Sequence, residues 1–201
     1  MRIYLIRHGK TKGNSFQRYI GTTDEPLLPQ EKKRLENCVY PKVDLVISSP
    51  LIRCQQTARA IYGDRELILC PELRECDFGI FENKNWKELA DEPLYQEWVD
   101  HNGKSAFPGG EHPEEFKKRS CAVFEKAVKQ LQEQKIETAA MVVHGGTIMS
   151  IMERYARPEK EFYQWHVSNG NGYELKIRPE QWKETTKEVT IIKSIKTEAV
   201  S

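Results

Sequence analysis

The chain has 201 residues, 38% of them hydrophobic and 30% charged, with a formal net charge of +1. This length and composition predict one globular domain over residues 1–201 with enough apolar material for a core. The near-neutral charge argues against a nucleic-acid partner, because no excess of Lys and Arg can be spread along a phosphate backbone. No apolar run approaches the roughly 20 residues of a membrane helix, and no leader pattern is present, so we expect a cytoplasmic protein.

Taken in chain order, apolar strands alternate with amphipathic or polar helices. We predict strands at 3–6, 43–48, 66–70, 139–143, 173–177 and 189–195. Helices are predicted at 30–38, 50–62, 113–134 and 147–155, with one or two more within 85–99. Ser49 and Pro50 are expected as the N-cap and first residue of the second helix. The alternation favours an α/β fold: a three-layer α/β/α sandwich with a mostly parallel sheet and an antiparallel edge strand.

The five cysteines and five histidines give no sign of a metal site. The cysteines are odd in number and irregularly spaced, without a C-x-x-C pair, which indicates free thiols. The histidines lack an H-E-x-x-H or similar spacing. The sequence therefore predicts no structural metal and no disulfide framework.

Three predicted strands end in residues that suit one kind of ligand. Arg7-His8-Gly9 follows the first strand, His144-Gly145-Gly146 follows the strand at 139–143, and Arg53 lies one helical turn beyond the second strand. If these strands lie side by side in one direction, the side chains converge at their carboxyl ends. Two guanidiniums and a helix N-terminus facing one point suit a phosphoryl group.

Five segments in this order resemble the successive motifs of the histidine phosphatase superfamily, the phosphoglycerate-mutase-like clan. They are RHGKTKGN at 7–14, SSPLIRCQQTA at 48–58, LRECDFG at 73–79, PGGE at 108–111 and VVHGG at 142–146. The resemblance spans about residues 2–151, and the order of the motifs makes it more specific than any single tripeptide. Within the clan, the short chain is most similar to the small phosphatases, and among them to the alpha-ribazole phosphatases.

The resemblance implies a mechanism that the residue types permit. His8 would attack phosphorus and form a phosphohistidine intermediate, which divides one hard displacement into two easier ones. Arg7, Arg53 and His144 would hold the phosphoryl oxygens and offset the charge of the transferring group. Because the arginines supply that positive charge, no metal or other cofactor is implied.

Three further residues take part in this implied mechanism. Asn14 would donate a side-chain N–H to the phosphoryl group, and Gly145 a backbone N–H. Glu75 would protonate the leaving oxygen and then deprotonate the attacking water. Glu72 and Asp77 lie within three residues of Glu75, so Asp77 stays open as an alternative acid.

The walls of the pocket are less well defined. Gly21, Phe81 and Glu111 are the candidates for contact with substrate. The family usually has Ser after Gly-Gly-Glu, whereas this chain has His112 at the expected N-cap of the long helix, and a contribution to the site stays open. Lys10 stands where the family usually has an acidic or polar residue, which favours more anionic substrates.

The expected function is that of a phosphomonoesterase acting on a small-molecule phosphate ester. The enzyme could be an alpha-ribazole phosphatase or a phosphatase of broad specificity. One alternative is a cofactor-dependent phosphoglycerate mutase that uses the same His8 chemistry. Another is a catalytically silent protein that binds phosphorylated ligands. Mutases of the family usually carry extra segments that close the site against water, so the chain length favours hydrolysis. The substrate stays open, and so does the quaternary state, for which a homodimer is one possibility.

Overall fold

A computed structural model describes residues 1–183 and 186–196 of the chain. The strands are β1 (Arg2–Arg7), β2 (Leu45–Ser48), β3 (Ile68–Leu69), β4 (Thr138–Val143), β5 (Gly172–Lys176) and β6 (Thr190–Ile195). They form one sheet in the order β3-β2-β4-β1-β5-β6. The first four strands are parallel to one another, whereas β5 runs antiparallel to both β1 and β6. The α/β fold and the mostly parallel sheet predicted from the alternation are confirmed.

Helices cover both faces of the sheet. The α-helices are α1 (Lys12–Ser15), α2 (Pro29–Glu36), α3 (Ile52–Tyr62), α4 (Pro93–Asp100), α5 (Pro113–Glu133) and α6 (Gly145–Tyr155). Side chains alternate across a strand, so Ile3 and Leu5 pack in one core with α5 and α6, whereas Tyr4 and Ile6 pack in a second core with α3. The predicted three-layer arrangement is therefore present. No helix among the described residues is long and apolar enough to cross a membrane.

The sheet brings three strand ends to one edge. β4 lies between β1 and β2, with Arg7 paired to Val143 and Ser48 paired to Val142. Because these strands are parallel, the segments that follow them leave the sheet on the same side. The fold thus collects the residues after β1, β2 and β4.

The start of α3 differs from the prediction. The helix begins at Ile52 with Leu51 as its N-cap, two residues later than expected, and Leu51 makes no side-chain cap hydrogen bond. Instead, the Ile52 N–H donates to Asp24 Oδ1 at 2.7 Å, so a residue from a distant loop satisfies the helix end. Ser49 lies outside the helix: its Oγ accepts from the Leu51 N–H at 3.4 Å and also lies 2.8 Å from His144 Nε2.

Two other elements are shorter than predicted. β3 contains only Ile68 and Leu69, both half-exposed at the edge of the sheet, and Pro71 follows directly in a short 3-10 turn. Within 85–99 the α-helix begins only at Pro93, and the residues before it form turns, the first of which is held by the Asn85 side chain as it accepts from the N–H groups of Lys87 and Glu88.

Candidate active site

His8 follows β1 directly, and its hydrogen bond defines its protonation. Nδ1 lies 2.7 Å from the carbonyl oxygen of Gly9. A carbonyl can only accept, so Nδ1 carries the proton and Nε2 keeps a lone pair. Burial first, and then the charges of Arg53 and Arg7, hold the pKa of His8 well below its usual range. The site therefore contains a neutral imidazole with a nucleophilic nitrogen.

Arg7 donates to two neutral acceptors in the segment that precedes β5. Its Nη1 donates to Nε2 of His166 at 3.0 Å and to the carbonyl of Val167 at 2.8 Å. Burial, followed by the charge of Arg7, lowers the pKa of His166, which suits an acceptor. The Arg7 Nε is buried without a partner among the described residues. An N–H in that position is suited to a bound anion.

Arg53 is fully buried and bound by a backbone loop. Its guanidinium donates to the carbonyls of Thr23 at 2.7 Å and Gly21 at 2.8 Å. A Cβ at Gly21 would lie 1.9 Å from the carbonyl oxygen of Cys76, so only glycine fits. Gly21, predicted to line the pocket, thus acts through its backbone by holding Arg53.

His144 ends β4 and lies beside His8, with 5.3 Å between the ring centroids. Its Nε2 is 2.8 Å from Ser49 Oγ and 3.6 Å from the sulfur of Cys54. Burial, then the charges of Arg53 and His8, keep the pKa of His144 well below its usual value. Burial also raises the pKa of Cys54 to about 12, so its thiol stays neutral. The second imidazole is therefore neutral and fixed in orientation.

Glu75 lies on the other side of the α6 N-terminus and is 8% exposed. Its two oxygens accept from the N–H groups of Cys76 and Gly146, each at 3.1 Å. Burial raises the pKa of Glu75 even though these bonds and the charges of Arg53 and Arg7 act in the opposite direction. A raised pKa favours the protonated carboxyl, the form that can donate a proton.

Asn14 and Asn169 connect the loop after β1 to the loop before β5. Asn14 Oδ1 accepts from the Thr11 N–H at 3.2 Å and from Asn169 Nδ2 at 3.1 Å, so its NH₂ is the end oriented away from these partners. Asn169 Nδ2 also donates to the carbonyl of His8 at 3.0 Å. At the start of α6 the Gly146 N–H is taken by Glu75, whereas Gly145 contributes a first-turn N–H.

A cleft of about 670 Å³ opens beside Arg7 and Asn14. Ten residues line it: Arg7, Lys10, Asn14, Gln17, Arg18, Glu31, Arg34, His166, Ser168 and Asn169. Over residues 1–183 and 186–196, no three His, Cys, Asp or Glu side chains are grouped so that they could hold a metal ion.

Phe81 requires a correction, because the structure does not place it at the cleft. Its ring is fully buried and packs edge-on against Tyr95, Trp98 and Phe107. An aromatic side chain gains more from this apolar cluster than from a wet, charged cleft. Phe81 is therefore part of a small satellite core under the 85–108 segment.

Glu111 also lies away from the cleft and has a structural partner. Arg119 binds it with two hydrogen bonds of 3.0 and 2.7 Å, which gives the paired geometry typical of arginine and carboxylate. A third nitrogen of Arg119 donates to the carbonyls of Glu72 and Arg74. Arg119 is therefore an ion-pair residue, and Glu111 supports the segment that carries Glu75.

The two residues that the sequence left open have local partners. Asp77 Oδ1 accepts from the N–H of Gly79 at 2.9 Å and stabilises a turn. His112 is the N-cap of α5, as expected, and its Nδ1 accepts from the N–H of Glu114 at 3.2 Å. Glu75, by contrast, faces the α6 N-terminus and is the carboxylate of the site.

Sequence reasoning missed three side chains of the site. His166 receives no role from its sequence context because its partner, Arg7, lies 159 residues away. Asn169 is equally remote from the loop that it holds. Ser49 is visible in the sequence, but Ser before Pro predicts an N-cap, and only the tertiary structure shows it beside His144.

Two imidazoles at adjacent parallel strand ends, the fully buried Arg53, the partly buried Arg7 and a carboxyl with a raised pKa form a cluster on an α/β sheet whose chemistry suits a phosphoryl group. The family comparison agrees with this class. The chain belongs to the histidine phosphatase superfamily (branch 1), whose family model matches residues 3–190.

Individual relatives are similar over most of their length. An adenosylcobalamin/alpha-ribazole phosphatase of Escherichia coli is 30% identical over 181 residues, which cover 85% of this chain and 87% of that protein. A broad-specificity phosphatase of Saccharomyces cerevisiae is 26% identical over 165 residues, 76% of this chain and 69% of that protein. The crystal structure of the alpha-ribazole phosphatase from Shigella flexneri superposes with a TM-score of 0.78 at 25% identity, covering 100% of this chain and 96% of that one.

Proposed function

We propose that this protein is a phosphomonoesterase that hydrolyses small-molecule phosphate esters through a phosphohistidine on His8. The observation that carries the proposal is the hydrogen bond from His8 Nδ1 to the Gly9 carbonyl, with a pKa well below the usual range. The imidazole is then neutral at physiological pH, and its Nε2 lone pair is available for attack.

In the first step, His8 Nε2 attacks phosphorus and the bond to the ester oxygen breaks. The leaving oxygen takes the proton of the Glu75 carboxyl. Arg7 and Arg53 offset the charge that the equatorial oxygens gain, together with neutral donors from His144 and Asn14. The products are an alcohol, a phosphohistidine and the Glu75 carboxylate.

In the second step, water attacks the phosphohistidine and gives its proton to the Glu75 carboxylate. The nitrogen–phosphorus bond breaks, inorganic phosphate leaves, and both His8 and Glu75 return to their starting states. One carboxyl can serve both steps, as the proton donor in its protonated form and as the base once ionised, and burial raises its pKa, which favours the donor form at the start.

The choice of ester is a separate part of the proposal. Alpha-ribazole phosphate and a broad panel of esters are the first substrates to test, because the relatives are an alpha-ribazole phosphatase and a broad-specificity phosphatase. Return of the phosphoryl group to a second substrate would make the protein a mutase. We further propose that the cleft lined by Arg7 and Asn14 admits water to the intermediate, which favours hydrolysis.

A phosphate-release screen over sugar, nucleotide, glycerate and ribazole phosphates tests the proposal, with His8→Ala as the blank. We expect release from at least one ester by the wild type and none above background in the variant. Isomerisation of 3-phosphoglycerate without net release would favour the mutase. Binding of esters without turnover of any of them would favour the silent binding protein.

A further inference from the structure

The cleft beside Arg7 is polar on every side. All ten residues that line it carry charged or hydrogen-bonding side chains, and none is an aliphatic residue, Phe, Tyr or Trp. Pockets for small organic ligands are usually lined mainly by apolar and aromatic groups. The part of a substrate that occupies this cleft must therefore be polar itself, since an apolar group would gain nothing by leaving water there.

Two of the cations in the cleft are neutralised by acids. Arg34 binds both oxygens of Glu31, at 2.7 and 2.9 Å, and Glu31 is the only acid among the lining residues. Arg18 binds both oxygens of Glu88, at 2.5 and 3.0 Å. These pairs leave little charge for a ligand.

Lys10 is different because its ammonium makes no ion pair within 4 Å among the described residues. Burial raises the pKa of Glu31, but Arg34 and then Lys10 lower it by more. Glu31 therefore stays ionised and paired with Arg34. Lys10 is exposed at the mouth of the cleft. Its ammonium therefore feels the Glu31 carboxylate only at a distance, because Glu31 forms its described salt bridge with Arg34.

The place of Lys10 in the chain limits how far from the phosphate it acts. It follows His8 by two residues, a distance of at most about 7 Å between Cα atoms. Arg7, which donates only to neutral acceptors, supplies the charge for the phosphoryl group itself. Lys10 is thus a second, separate cation a short distance away.

We infer that Lys10 selects phosphate esters that carry a second anionic group, a carboxylate or phosphate, a few bonds from the reacting phosphate. The inference rests on the proposed function and narrows its substrate class. It favours small, polar, multiply charged esters, so within the proposed panel 3-phosphoglycerate ranks above alpha-ribazole phosphate, whose alcohol is a neutral aromatic nucleoside.

Two esters of the same carbon skeleton test the inference: 3-phosphoglycerate, which has a carboxylate, and glycerol 3-phosphate, which has a hydroxymethyl group in its place. Phosphate release and calorimetric binding are measured for wild type, Lys10→Gln and Lys12→Gln. Lys12 is an exposed lysine of α1 that does not line the cleft, so it is the matched control.

We expect the wild type to favour 3-phosphoglycerate in kcat/KM and in affinity by about fivefold, which corresponds to about 1 kcal/mol for a partly exposed ion pair. The preference should disappear in Lys10→Gln, persist in Lys12→Gln and weaken as salt is added. No preference in the wild type, or one that survives Lys10→Gln, would overturn the inference. If neither ester is hydrolysed, the proposed function fails for them, while the binding ratios still decide the role of Lys10.

Discussion

Replacing Glu75 by Gln removes the proposed proton donor while its volume stays nearly constant. A leaving alkoxide needs a proton, whereas p-nitrophenolate leaves readily without one. We therefore expect kcat/KM to fall by about 10² to 10⁴ for an alkyl phosphate, equivalent to about 3 to 5 kcal/mol of barrier. For p-nitrophenyl phosphate, kcat/KM should change little, because it reports phosphorylation of His8 rather than hydrolysis of the intermediate.

The same variant has a predictable cost in stability. Both Glu75 oxygens accept backbone N–H groups, whereas Gln has one accepting oxygen and an NH₂ that can only donate. One buried N–H loses its acceptor, at a cost of about 1–3 kcal/mol. For a chain of this size that lowers Tm by about 2–12 °C. The variant should still be folded at 25 °C, and circular dichroism checks this before the kinetics.

Asp77→Asn is the matched control, because this carboxylate lies two residues away and holds only the Gly79 turn. It should retain activity toward both esters. Equal losses of Glu75→Gln on alkyl and aryl phosphates would refute the role of Glu75 as general acid. A selective loss on the alkyl ester in Asp77→Asn would move that role to Asp77.

Three further predictions concern His166, Phe81 and the two buried imidazoles. His166→Ala should reduce kcat/KM about tenfold, because Arg7 loses an acceptor, and His166→Gln should restore most of it; equal losses would refute the positioning role. Phe81→Ala should cost about 3–5 kcal/mol in urea unfolding without changing KM, and a raised KM would return Phe81 to the pocket. The lowered pKa values of His8 and His144 give stability that is present above their ordinary pKa and lost as pH falls. The measurement is made in Glu75→Gln, because the raised pKa of the Glu75 carboxyl has the opposite effect on stability. In that variant the free energy of unfolding should drop by about 2 kcal/mol from pH 6.5 to 5.5. A free energy that does not change with pH would contradict neutral buried imidazoles.

The sequence predicts the sheet well because its central strands are buried on both faces. β1 and β4 appear as continuous apolar runs, and burial requires that pattern wherever helices cover both sides. The edge strand β3 and the 85–99 segment are predicted poorly, since exposed backbone is shaped by local turns such as that of Asn85. Residues of the site at strand ends are therefore easy to find.

Residues that act through distant partners cannot be found in this way. The Ser49-Pro50 pair predicts a helix start, yet Asp24 supplies the cap to α3 and Ser49 binds His144. His166 has no local signal at all. Glu111 belongs to a motif of the family, but its pairing with Arg119 depends on how α5 packs against the Glu75 segment.

The central claim is that a phosphoryl group is transferred to His8, and direct trapping of the intermediate tests it. Wild type and Glu75→Gln are mixed with p-nitrophenyl phosphate, quenched in alkali, in which phosphohistidine survives, and digested for mass spectrometry. We predict one phosphoryl group on the peptide that contains His8, with more of it in Glu75→Gln because hydrolysis of the intermediate lacks its base. Phosphate release with no phosphorylated peptide, or with the phosphoryl group on another residue, would contradict the account.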